Sequence, residues 1–132
     1  MRLPSPAHGS EPAGTVVHLV AEFTGVAESC LRDSALLGGL LIAAAGAAGL
    51  HALASPMLRN STLQGVDGLM LLDGGHATVH AQAASGRLLL DLFAPMPADL
   101  ARALDVFTRR LAPTAVSSET LVRAHDSARS AG

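Results

Sequence analysis

Tryptophan, tyrosine and lysine are missing from the sequence, and phenylalanine occurs only three times. Without an aromatic platform there is nothing on which single-stranded bases could stack. The basic residues are nine arginines with no cluster larger than Arg109-Arg110, and the net charge is −2. Nucleic acid is therefore excluded as an expected partner. Cys30 is the lone cysteine, so no internal disulfide can form and a reducing cytoplasm is the expected location. Its simplest reading is a small buried hydrophobe, not a nucleophile. Missing too are a P-loop, a Gly-x-Gly-x-x-Gly after a strand, a nucleophile elbow and paired carboxylates.

What is abundant is apolar surface. Hydrophobic residues make up 49% of the 132 positions and charged residues only 15%, the composition of one folded domain with a core. Pro4, Pro6 and Pro12 mark residues 1–15 as a flexible tail without the apolar stretch of a secretion signal. The folded domain is expected over 16–123, with a second flexible tail at 124–132.

Thr15 to Phe23 reads TVVHLVAEF and predicts a first strand, on which His18 and Glu22 share one face. That pair is either part of a substrate-facing surface or a solvated strand edge. From Ala35 to Ala54 the only strongly polar residue is His51, long enough to raise a membrane span. Its content is mostly Ala and Gly, which contribute little to membrane transfer. The preferred reading is therefore a buried amphipathic helix over 29–48, capped near Ser29 or Ser34 and ended by Gly49. No membrane partner is expected. Leu50–Met57 predicts a strand and Arg59–Gln64 a loop.

The stretch Leu69–Phe93 is the centre of the chain. Two apolar runs flank a middle rich in Gly, His, Thr and Ser, a pattern of strands joined by turns at Asp73-Gly74-Gly75 and Ala84-Ser85-Gly86. A helix follows over Ala98–Leu111, with Pro97 in its first turn and Asp99 at the positive end of its dipole. Arg109-Arg110 suits the other end, and Thr114–Arg123 is a last strand. This order predicts an α+β sandwich, an antiparallel sheet with two helices on one face.

Taken in order, three stretches resemble the small prokaryotic S-adenosylmethionine decarboxylases over roughly Val17–Arg123. His18-Leu19-Val20-Ala21-Glu22-Phe23 is similar to the family's opening strand. Gln64-Gly65-Val66-Asp67-Gly68 is similar to a Gly-Val-Ser-Gly turn, and His76-Ala77-Thr78-Val79-His80 with Asp91-Leu92-Phe93 to the central hairpin. The resemblance implies an S-adenosylmethionine decarboxylase-like sandwich, half-sized protomers that pair, and a place in polyamine (spermidine) biosynthesis. In that family a serine in a Glu-Ser-His turn attacks the preceding carbonyl. The chain is thereby cut, leaving the pyruvoyl group that carries the decarboxylation.

Here that turn reads Gly74-Gly75-His76. Gly75 stands at the serine position and offers no nucleophile. Gly74 replaces the glutamate, Asp67 the serine that assists processing, and Pro95 the catalytic cysteine. The retained positions are His80, matching the histidine that helps processing, with His76 and Glu22. No pyruvoyl cofactor is expected. Thr78, Ser85 and Cys30 are poorly placed to substitute. The expected protein is a non-processing pseudoenzyme that keeps a pocket for S-adenosylmethionine or an amino acid, as a homodimer or as a heterodimer with an active paralogue. Two rivals stand beside it: a pyruvoyl-independent enzyme using His76, His80 and Glu22 for proton transfer, and a structural or assembly protein. His76 and His80 also form an H-x-x-x-H pattern. On a strand they are separated by roughly 13 Å, too far to share one metal ion.

Overall fold

The structure, a computed structural model, describes residues 14–61 and 64–124. The tails expected at either end fall largely on residues 1–13 and 125–132, outside the described residues. One six-stranded sheet holds the fold together. Its strands are β1 (Val16–Thr24), β2 (Met57–Ser61), β3 (Gly65–Leu72), β4 (Gly75–Gln82), β5 (Arg87–Pro95) and β6 (Ala115–Arg123). They lie in the order β2-β3-β4-β5-β1-β6, every neighbour antiparallel. The meander β3-β4-β5 forms the middle, and β1 enters between β5 and β6. Three helices, α1 (Glu28–Leu31), α2 (Ser34–Ala47) and α3 (Leu100–Leu111), complete the element list with a 3-10 turn at Ala83–Ser85. This is the antiparallel α+β sandwich that the element order predicts.

Strand alternation sorts the side chains. Val17, Leu19, Ala21 and Phe23 of β1 are buried, as are Leu88, Leu90, Leu92 and Ala94 of β5. They join Leu37, Leu41 and Ala44 of α2 and Ala103, Phe107 and Leu111 of α3 to close the core. The Phe23 and Phe107 rings meet at 5.9 Å. Each fully buried Leu or Phe contributes about 1.5–3 kcal/mol of transfer free energy. The alternate residues of every strand point to the opposite face, where no helix lies.

Three details depart from expectation. The predicted helix over 29–48 is two helices broken at Arg32-Asp33, and the cap is neither Ser29 nor Ser34. Asp33 is the N-cap, its side chain accepting from the Leu36 N–H at 3.0 Å. This satisfies an amide that the helix itself leaves unpaired. The far end follows the reading. Gly49, at φ +79, ends α2 with paired bonds from Leu50 N to Ala45 O and from Gly49 N to Gly46 O, a Schellman arrangement. Nor is α2 amphipathic. Its outer side carries Ala35, Gly39, Ile42, Ala43 and Gly46, while Gly38 on the inner side lets Leu58 of β2 approach so closely that a Cβ would meet its Cδ1 at 2.5 Å.

The strand expected at Leu50–Met57 lies later, at Met57–Ser61, where a loop was expected. The residues before it pair with the sheet through one isolated bridge, Ala52 to Leu72, closed by bonds from Leu53 N to Leu71 O and from Asp73 N to His51 O. Finally, α3 begins at Leu100 with Asp99 as its N-cap, accepting from Arg102 N at 3.1 Å. Pro97 thus precedes the helix and is not in its first turn. No helix among the described residues is long and apolar enough to cross a membrane.

Candidate functional site

The helix-free face carries the polar side chains, and the strand register arranges them in rows. One row runs Arg59, Asp67, His80, Leu89, Glu22 and Ser117, each opposite the next on successive strands. The adjacent row is Met57, Leu69, Thr78, Asp91, Val20 and Glu119, and the row beyond is Leu71, His76, Phe93, His18 and Leu121. His18, Glu22, His76 and His80 therefore all share this face. Glu22 does not sit on a solvated edge, because β1 is an interior strand.

Each polar residue has a defined neighbour. Arg87 grips Glu22 with two bonds, Nε to Oε2 at 2.9 Å and Nη2 to Oε1 at 3.1 Å, while its Nη1 donates to Gln82 Oε1 at 3.1 Å. The fork-to-fork geometry matches guanidinium to carboxylate. The bonds from Arg87 hold the Glu22 carboxyl below the usual carboxylate range. His80 Nδ1 lies 2.8 Å from Asp67 Oδ1. An ionised carboxylate can only accept, so neutral His80 carries its proton on Nδ1 and leaves Nε2 as an acceptor. His76 stacks flat on Phe93 with centroids 5.5 Å apart, and His18 meets the other side of that ring edge-on at 5.9 Å. His18 Nε2 is buried without a hydrogen-bond partner, 3.7 Å from Asp91 Oδ1.

Two depressions open on this face, one on each side of the ridge formed by Thr78 and His80. The larger, about 440 Å³, is bordered by Glu22, Asp91, Glu119 and Ser117. The smaller, about 260 Å³, is bordered by Met57, Arg59, Asp67 and Leu69. Among the described residues, no three His, Cys, Asp or Glu side chains converge as a metal site.

The turn at Gly74-Gly75 lies at one end of the sheet. Gly74, at φ +81, takes the left-handed position, which glycine adopts without a steric penalty. A Cβ built on Gly74 would meet Pro95 Cγ at 3.3 Å, so these two residues are packed together. Gly75 has no positive φ. Its constraint is space: a Cβ there would overlap the Phe93 carbonyl oxygen and come within 2.9 Å of the carbonyl carbon. Along β4, Gly75 and His80 are about 16 Å apart at ~3.3 Å per residue.

The sequence reading missed Arg87, which clamps Glu22, and Arg59, which lay in a supposed loop. It counted Asp67 only as a lost position. The signal for Asp67–His80 was a possible cross-strand acid–histidine pair. It becomes visible only once the β3–β4 register is known.

A family model described as S-adenosylmethionine decarboxylase matches residues 17–124. The fold is similar to the crystal structure of the adenosylmethionine decarboxylase from Aquifex aeolicus VF5, with a TM-score of 0.75 and 21% sequence identity. That match covers 84% of this chain and 92% of the other. No curated protein gives a significant match.

Proposed function

This chain belongs to the S-adenosylmethionine decarboxylase family, and from that premise we propose that it neither forms a pyruvoyl group nor decarboxylates, while keeping a ligand site on its helix-free face. The observation that carries the reading is Gly75. Glycine supplies no hydroxyl for the acyl shift that the family resemblance implies at this turn. The Phe93 carbonyl also leaves no room there for a side chain. Pro95, at the position that the resemblance gives to a proton-donating cysteine, has no proton to donate.

The ligand is S-adenosylmethionine or an amino acid held in the larger depression. Asp91 and Glu119 around it favour a ligand with a cationic group. The protein works as a homodimer or paired with an active paralogue, in the cytoplasm, and contributes to polyamine (spermidine) biosynthesis by binding or by regulating that partner. Val20, Leu69 and Leu71 leave apolar surface on the open face, and covering such surface favours association. Titration calorimetry with S-adenosylmethionine tests the binding. Saturable heat is expected, reduced by Asp91→Asn, and a flat titration would leave only an assembly role.

A further inference from the structure

The contact between Asp67 and His80 is not accounted for by loss of the pyruvoyl turn. We propose that His80 is the proton acceptor of a site for a small organic acid, with Asp67 as its positioning residue and Arg59 as the cation that holds the acid group. The proposal goes beyond the reading of Gly75 and does not depend on it.

The geometry is that of a directed imidazole base. Asp67 Oδ1 lies 2.8 Å from Nδ1, where a carboxylate holds the ring proton, and the His80 side chain is 59% exposed, which leaves the Nε2 lone pair to meet a ligand. A carboxylate behind an imidazole also stabilises the imidazolium formed when a proton arrives. The pairing is selective. Arg59 lies directly opposite Asp67 in the β2–β3 register, the position where an opposite-charge pair ordinarily forms. Asp67 instead engages His80, and among the described residues no carboxylate pairs with Arg59. Arg59, in no ion pair among the described residues, therefore borders the same 260 Å³ depression as the imidazole and Asp67.

Asp67, turned to His80, and Thr78 also line that depression, and the rest of it is apolar. Met57 is 72% exposed, surface that a hydrocarbon portion would cover. The complementary ligand is an organic acid with a short apolar body. Its acid group meets Arg59, and a C–H or O–H proton is presented to His80. The proton moves to Nε2 while its electron pair stays on the substrate, and the imidazolium then returns that proton to the substrate. No electron acceptor is needed. The other charged groups on His80's face are Glu22, across Leu89, with the Arg87 that clamps it, and Asp91 and Glu119 at the far side of the larger depression.

The test uses the full chain labelled with nitrogen-15 at histidine and observed by NMR at neutral pH, with benzoate as the probe. His80 is expected as the Nδ1–H tautomer, and Asp67→Ala should release it to the mixture of a free imidazole. Benzoate should shift the His80 signals saturably, and Arg59→Gln should weaken that binding about tenfold, the loss of one charge-assisted contact. Hydrolysis of para-nitrophenyl acetate above the buffer rate should fall mostly with His80→Gln and little with His76→Gln. An Nε2–H tautomer, benzoate binding indifferent to Arg59, or equal loss in the two histidine variants would overturn the proposal. A cleaved chain would overturn the reading of Gly75 and leave this one standing.

Discussion

At Gly75 the missing side chain and the missing space are the same fact. The sequence reading places a nucleophile's loss there, in a turn whose paired glycines suit a positive φ. The structure puts the positive φ one residue earlier, at Gly74, and makes the obstacle at Gly75 a neighbouring strand's carbonyl. Gly75→Ser should therefore push β4 away from β5. The expected cost is about 1–3 kcal/mol, as for overpacking a filled site, seen as a lower urea midpoint. No self-cleavage should appear over days, even combined with Gly74→Glu and Asp67→Ser. Efficient cutting of the single variant would show a turn intact but for one hydroxyl.

Glu22 gives the pH dependence. Its carboxyl is held low chiefly by hydrogen bonds from Arg87, so the folded state binds a proton there less readily than the unfolded chain. The stabilisation is complete above the ordinary glutamate range and fades as pH falls through the depressed folded value. Both side chains keep over a third of their surface, 36% for Glu22 and 38% for Arg87, so the effect is small. Glu22→Gln should narrow the difference in thermal midpoint between neutral and acid conditions. An unchanged acid branch would contradict the clamp.

Among the elements, β1, the meander and α3 were legible because burial on one face imprints a period of two or 3.6 on the sequence, whereas α2 stood out as an apolar run ended by Gly49 and β6, exposed at every position, by its place after Pro113. The edge strand β2 was not. It pairs on one side only, with β3, and Met57, Arg59 and Asn60 are exposed, so backbone bonds hold it without an apolar signature. Leu50–Met57 misled for the opposite reason: its apolar residues lead into the sheet without joining the ladder. Helix ends were legible where glycine marks them, at Gly49, and less so at Asp33, where two serines nearby competed for the cap. Asp33→Ala should cost about 1 kcal/mol, measured by urea denaturation. Phe107→Ala, which empties the contact with Phe23, should cost about 3–5 kcal/mol. Equal effects from the two would mean that α3 does not close the core.

For the whole molecule, the fold class follows from element order, and the location of the site follows from alternation: one face under helices, the other open. Sequence placed His18 and Glu22 together, but only the register brings His76, His80, Asp67 and Arg59 onto the same surface. That surface leaves Leu69 46% and Leu71 56% exposed, and a second copy is the expected cover. Light scattering at micromolar concentration should report a dimer, and Leu69→Glu with Leu71→Glu should shift it toward monomer. A monomeric parent protein would contradict the pairing.

The central claim is that family membership here comes without the family's self-made cofactor. Intact-mass spectrometry of the freshly purified and the aged protein tests it most directly, alongside a ketone-directed reagent. A single uncut polypeptide that takes up no label is expected. Two fragments divided between Gly74 and Gly75, or a labelled amino terminus, would contradict it.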